Sequence, residues 1–200
     1  YYAVKQLEMA GIGLAVMYIA SYFDYHSFRK FWISGGIFIA ALVMLVLVLF
    51  VGKSTDTDVT RWLKIGPIVF QPSEIMKFAV VIFFSMLIEK NYSHMHEFKR
   101  GILPYFLMLG IIAVLMMMQP HLSGTILILL IGLTLVFVGG AKITQLGGAG
   151  LAGCALLVAV ILTKKNYFMT RITTWLDPFN EATAANDTWQ TCQSLIAIGS

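Results

Sequence analysis

Charge is what this 200-residue sequence has least of: Asp, Glu, Lys and Arg together make up 12% of it. A soluble domain carries roughly 25%, so this chain cannot cover a water-facing surface, and a soluble globular enzyme is excluded. A hydrophobic share of 58% excludes a disordered chain. The net charge of +4 and the pI of about 9.1 do not make a nucleic-acid module at this composition, and no nucleic-acid partner is expected. Two cysteines, Cys154 and Cys192, cannot build a disulfide framework. No signal peptide precedes the first apolar stretch, the chain starts at Tyr1 rather than Met, and it stops at Ile198-Gly199-Ser200. It therefore reads as an internal piece of a larger protein, a single integral membrane domain over 1–200 that is incomplete at both ends.

What is abundant is long apolar runs. A bilayer core about 30 Å thick takes roughly 20 apolar residues per helix, and the mean hydropathy is +0.81. Six stretches qualify, at about 8–23 (or from nearer residue 1), 32–51, 72–88, 102–118, 122–138 and 146–162. Several are short, which implies tilt or local thinning. None alternates as strands of a membrane barrel would. The fold class is all-α, a polytopic transmembrane helical bundle, with both chain ends on one side of the membrane.

The connections do not orient it. Arg29, Lys30, Lys90, Lys99, Arg100 and Lys142 fall on one side; Lys53, Arg61, Lys64, Lys164, Lys165 and Arg171 fall on the other. The usual excess of cations on the cytoplasmic face is missing, and a basic outer face suggests that something anionic is handled there.

Two polar interruptions carry the chemistry. In Arg61-Trp-Leu-Lys-Ile-Gly-Pro-Ile-Val-Phe-Gln-Pro-Ser-Glu-Ile-Met-Lys77, Gly66-Pro67 forces a turn. Pro72 suits the first position of a helix, and Glu74 falls in the first turn, where the helix dipole favours an anion. Lys77 lies on the same face, three residues on. Charges at the mouth of a membrane helix are costly unless they pair or face a polar cavity; both a structural ion pair and a cavity are open. The second interruption is Gln119-Pro120-His121-Leu122-Ser123-Gly124. His121 there is either a proton-titrating or anion-binding group or a merely satisfied polar residue at a helix start. Further on, 171–179 reads as an interfacial amphipathic piece ending at Asp177-Pro178. His94-Met95-His96-Glu97 has metal-ligand residue types but lies in one short charge-rich loop, and no metal site is assigned. Gly148, Ala149, Ala152 and Gly153 have the spacing of close helix packing.

Taken together, Arg61-Trp62-Leu63, Gly66, Gln71-Pro-Ser73-Glu74 and Lys77 resemble the signature of the SEDS family (shape, elongation, division and sporulation). Gln119-Pro120, Leu122 and Gly124-Thr125 resemble its next motif. Arg171, Asp177-Pro178, Gln190 and Gln193-Ser194-Leu-Ile-Ala-Ile-Gly-Ser200 resemble its large outer loop. Gly140-Ala141-Lys142 and Trp189-Gln190 are more similar to the division and sporulation members than to the elongation member.

The resemblance implies a ten-helix bacterial glycosyltransferase of the cytoplasmic membrane that polymerises lipid II into peptidoglycan. Its implied partners are a class B penicillin-binding protein and other division or elongation proteins. It places 61–74 and 163–200, the start of a large extracytoplasmic loop, outside the cell, and 89–101 in the cytoplasm. It also places the catalytic Asp beyond Ser200, so this chain alone is expected to be inactive. Candidate cavity or substrate residues are Arg61, Lys64, Gln71, Ser73, Glu74, Lys77, Gln119, His121, Arg171, Gln193 and Ser194. The family has Asp where this sequence has His121, so a role carried to that position is not transferable as it stands. No cofactor is assigned, and a divalent cation is left open. A lipid II flippase and a non-catalytic divisome scaffold are the alternative readings.

Overall fold

The computed structural model describes residues 2–51, 62–65, 68–119, 121–148, 150, 153, 169, 172, 175–179 and 189–199. The chain divides into two units, Tyr1–Leu146 and Gly147–Ser200. The first holds five α-helices: α1 (Tyr2–Ser21), α2 (Phe31–Val51), α3 (Pro72–Lys90), α4 (Leu103–Met118) and α5 (Leu122–Val138). These match the expected spans within a few residues, α1 taking the earlier of its two expected starts, and α5 coincides with its expected range. The second unit contains α6 (Trp189–Gly199). Of the expected sixth span, residues 146–148, 150 and 153 are helical and the rest lies outside the described residues.

One element departs from the all-helical expectation. Leu63–Ile65 (β1) and Ile68–Phe70 (β2) pair as an antiparallel ribbon, with Ile65 opposite Ile68. Gly66 and Pro67, the turn residues, lie outside the described residues. Backbone polar groups near a bilayer must find partners within the protein, and this ribbon supplies them just before α3.

Ala3–Ser21, Phe31–Val51 and Phe98–Met118 are long and apolar enough to cross a membrane, and Leu122–Val138 is a shorter apolar helix. At 17 residues, α5 is about 26 Å long by helix rise, just under the hydrocarbon thickness. Helix α3 has 19 residues but carries Glu74 and Lys77 near one end and Glu89 and Lys90 at the other. Even so, it is the centre of the unit, packed between α2 and α5, while α4 packs on α5 and to a lesser extent on α2. The buried faces follow helical spacing: Phe38, Ala41, Leu45 and Val48 on α2; Met76, Ala79, Val80, Phe83 and Phe84 on α3; Tyr105, Leu109, Ile112 and Met116 on α4. Phe38 stacks on Phe83 with ring centroids 4.7 Å apart, and Phe84 meets Tyr105 edge-on at 5.1 Å. No α1 side chain from Ala3 onward is buried, and its apolar residues are exposed all round, as a lipid-facing helix permits.

Close helix approach occurs at Gly132, where a Cβ would lie 2.6 Å from a Leu109 methyl across the α4–α5 contact. At Gly148 and Gly153, by contrast, a Cβ would meet nothing within 4 Å, so among the described residues their small size is not used for close packing.

At one end of this unit the connections 24–30, 91–102 and 139–145 come together. Asp24 caps the 3-10 turn Tyr25–Arg29, accepting from the His26 N–H at 3.0 Å, and meets the His26 ring Nδ1 at 2.6 Å. These bonds hold its carboxyl below the usual carboxylate range, the backbone bond contributing most. Arg29 pairs with Glu89. Lys90 lies over the Phe31 ring at 5.4 Å. Asn91 donates to the Arg100 carbonyl at 2.9 Å, and Gln145 to the His96 carbonyl at 3.4 Å. Met95 is fully buried beneath them.

Candidate functional site

The opposite end of the same unit brings the two polar motifs into contact. Pro72 opens α3 and Gln71 is its N-cap residue, yet the Gln71 side chain makes no cap bond to its own helix. It reaches the start of α5 instead, where its Nε2 lies 2.5 Å from His121 Nε2. Fifty positions separate the two residues in sequence, and the packing of α3 on α5 is what joins them.

His121 is the N-cap residue of α5. Its Nδ1 accepts the Gly124 N–H at 3.1 Å, filling one of the donor positions that every helix start leaves open. Thr125 Oγ1 donates to the His121 carbonyl at 2.7 Å. The ring folds over Gly124 so closely that a Cβ there would lie 2.6 Å from Cε1 and 2.8 Å from Nδ1. Glycine is therefore required by the cap. Both ring nitrogens of His121 are engaged, so the side chain is held between the start of α5 and the Gln71 amide.

Gln119 is buried, at 1% exposure, and its Nε2 donates to the Leu45 carbonyl of α2 at 2.9 Å. This bond ties the end of α4 to the middle of α2. Ser73 is buried as well, and its Oγ has no hydrogen-bond partner among the described residues. Lys77 Nζ meets Glu74 Oε2 at 2.7 Å, with the lysine side chain 23% exposed and the glutamate 58% exposed. The ion pair allowed for by the Glu74–Lys77 spacing thus forms, and its acidic member faces outward.

The structure thus assembles Gln71, Ser73, Glu74, Lys77, Gln119 and His121 at one end of the bundle. It leaves other candidates unplaced. Arg61 and Arg171 lie outside the described residues, and Lys64 is described only as backbone in β1. Gln193 and Ser194 are exposed on α6 in the second unit, where Cys192 Sγ donates to the Pro178 carbonyl at 2.7 Å. Among the described residues no three His, Cys, Asp or Glu side chains converge as metal ligands. His94 and His96 belong to the far end instead. Sequence reasoning missed the Leu45 carbonyl, which as a backbone acceptor leaves no mark in the sequence. It also missed the Gln71–His121 contact, which depends on how α3 packs against α5 and leaves no mark in the sequence.

The fold and this site define a polytopic helical membrane protein with a polar cluster at one end of its bundle. The chain belongs to the cell cycle protein family of FtsW, RodA and SpoVE, which it matches over residues 1–200. It is 30% identical over 200 residues to the probable peptidoglycan glycosyltransferase FtsW of Geobacter sp. (strain M18), covering all of this chain and 53% of that protein. It is 31% identical over 201 residues to the stage V sporulation protein E of Bacillus subtilis (strain 168), again covering 100% and 53%. The chain therefore spans about half the length of these relatives. Among solved structures, it resembles a chain of a peptidoglycan synthase complex that coordinates polymerisation and crosslinking, with a TM-score of 0.72 and 27% identity over 98% of this chain and 56% of that one. It also resembles the rod shape determining protein RodA of Thermus thermophilus, with a TM-score of 0.60 and 26% identity over 74% and 47%.

Proposed function

We propose that the protein to which this chain belongs is a peptidoglycan glycosyltransferase of the bacterial cytoplasmic membrane that polymerises lipid II outside the cell. The observation that carries this reading is the meeting of Gln71 and His121 at 2.5 Å beside the Glu74–Lys77 pair, in a chain of this family. Lipid II is a lipid-linked disaccharide pyrophosphate, and its leaving group gains negative charge as the glycosidic bond breaks. Lys77, with Arg61 and Lys64 from the segment before β2, would stabilise that charge, as fixed cations do in a site shielded from water. Gln71 and Ser73 would supply neutral hydrogen bonds to sugar or phosphate oxygens. An acceptor hydroxyl needs a carboxylate base within reach. Glu74 is engaged by Lys77 and is assigned to shaping the cavity; no base is assigned in this chain.

A class B penicillin-binding protein is the proposed partner, supported by the likeness to a complex that couples polymerisation to crosslinking. The test is purified full-length protein given lipid II in detergent. Glycan chains are the expected product, and a flippase, having no second leaflet to serve, would make none. Replacing Glu74 by Gln should lower chain formation at least about tenfold, the scale of losing one well-placed electrostatic group. Unchanged polymerisation would remove Glu74 from the site.

A further inference from the structure

The end of the bundle away from the polar cluster carries more positive charge than its acids can match. Three contacts clamp the connections 24–30 and 91–102 together there. Arg29 pairs with Glu89, Lys90 Nζ lies 5.4 Å from the centre of the Phe31 ring, and the Asn91 side chain donates to the Arg100 carbonyl at 2.9 Å. The start of α2 and the end of α3 are thereby held beside the Lys99–Arg100 segment. Glu89 is engaged by Arg29 and Asp24 by His26. Against one further acid in these connections, Glu97, stand four cations: Lys30, Lys90, Lys99 and Arg100. All four are exposed, and none pairs with an acidic side chain among the described residues.

Their setting is that of a membrane surface. Trp32 is 88% exposed and Phe31 47% exposed, directly after Lys30. Further along α2, Ile39, Val43, Leu47 and Phe50 are exposed at spacings of three or four residues, while Phe38, Ala41, Leu45 and Val48 turn inward. One apolar stripe thus runs down the helix from the cations. A tryptophan at the end of a spanning helix belongs at headgroup depth, and cations at that depth attract anionic lipids.

We propose that this end of the protein binds an anionic phospholipid. Lys30, Lys90, Lys99 and Arg100 hold its phosphate, Phe31 and Trp32 flank its glycerol, and an acyl chain lies along the exposed stripe of α2. Charge selects the headgroup: phosphatidylglycerol is a net anion, whereas phosphatidylcholine brings its own cation and gains little. An acidic protein segment would match the charge but would leave Trp32 and the stripe unused. The inference makes no use of the activity proposed above, and lipid II polymerisation could fail without touching it.

The test takes the full-length protein in detergent, with phosphatidylglycerol and phosphatidylcholine as probes and native mass spectrometry as the readout. Phosphatidylglycerol should be retained at least about tenfold more than phosphatidylcholine. A cation near a lipid surface is worth about fivefold, so K30Q/K90Q should lower that retention about 25-fold at low salt, and K30R/K90R should restore it. K99Q/R100Q should lower it by a similar factor. This second pair sits on an exposed connection and spares the Arg100 carbonyl bond, so it serves where the first pair disturbs folding. Photoactivatable phosphatidylglycerol locates the site without any substitution, and its crosslinks should fall within 29–34 and 89–102. Crosslinks confined to other segments, or wild-type retention by K99Q/R100Q, would overturn the proposal. Equal retention of the two lipids would do so as well, and tight binding of polyglutamate would then indicate an acidic protein partner. Displacement of the lipid by equimolar glycerol phosphate would equally sink it, marking a site for free phosphate.

Discussion

His121 and Gly124 behave as one unit, and a double-mutant cycle exposes this. A Cβ at position 124 would lie 2.6 Å from the imidazole, so Gly124→Ala must push the ring away and break the cap. A lost cap costs about 1 kcal/mol. Alanine, however, favours a helix over glycine by about the same amount. In the wild-type background these effects nearly cancel, with net loss once the Gln71 bond also breaks. In a His121→Ala background nothing stands over position 124, and Gly124→Ala should stabilise by about 0.5–1 kcal/mol. The expected result is a coupling of roughly 1–2 kcal/mol, read from denaturation midpoints in detergent; additive effects would refute it. Asp24, at the other end, offers a test of sign. Its carboxyl is held below the usual range by the His26 N–H and then by the His26 ring. A depressed carboxylate stabilises the fold above the unfolded value, near pH 3.9, and that contribution is lost as the pH falls through the lower folded value. NMR titration of Asp24 should therefore give a midpoint below the ordinary one. His26→Ala should raise it only part of the way, because the backbone bond survives; no change at all would remove the ring as a cause.

At the scale of elements, Gln119 links α4 to α2 through a bond that needs no charge. Gln119→Leu removes the donor to the Leu45 carbonyl and should cost about 1–3 kcal/mol, the range for a buried hydrogen bond. Gln119→Glu should cost more, since it sets a carboxylate against a carbonyl oxygen in a dry interior. That order, glutamate worse than leucine, is checked by unfolding in detergent, and the reverse order would show that packing rather than polarity governs the position. The helices themselves were legible in the sequence because apolar runs of about 17–21 residues allow few other structures in a bilayer; Leu122–Val138 was readable to the residue. Their buried faces were not legible. Helix α2 is apolar on every side, so nothing in its composition separates Leu45 and Val48, which pack inward, from Leu47 and Phe50, which do not. Likewise Glu74–Lys77 was readable from its spacing, whereas Gln71–His121 depends on how α3 meets α5. The ribbon at 63–65 and 68–70 was visible only as a turn at Gly66-Pro67.

For the whole molecule, the open question in the sequence was which end faces out, because the Lys and Arg of its connections and tail divide evenly. The structure supplies a different asymmetry. One end is closed by paired connectors: Arg29 with Glu89, Asn91 on the Arg100 carbonyl, and Gln145 on the His96 carbonyl. The other end presents the half-buried Gln71 and His121 and the exposed Glu74. Under the proposed function the substrate would enter at the more exposed end, and a closed end would suit the side where no substrate enters. Single cysteines placed in a background lacking Cys154 and Cys192 test this. With a membrane-impermeant maleimide on intact cells, Trp62→Cys, beside the ribbon and exposed, should label. Ser93→Cys, exposed in the 91–102 connection, should label only after the membrane is opened. The opposite pattern would put the polar cluster in the cytoplasm, where lipid II polymerisation could not use it, and would overturn the proposed orientation and activity together.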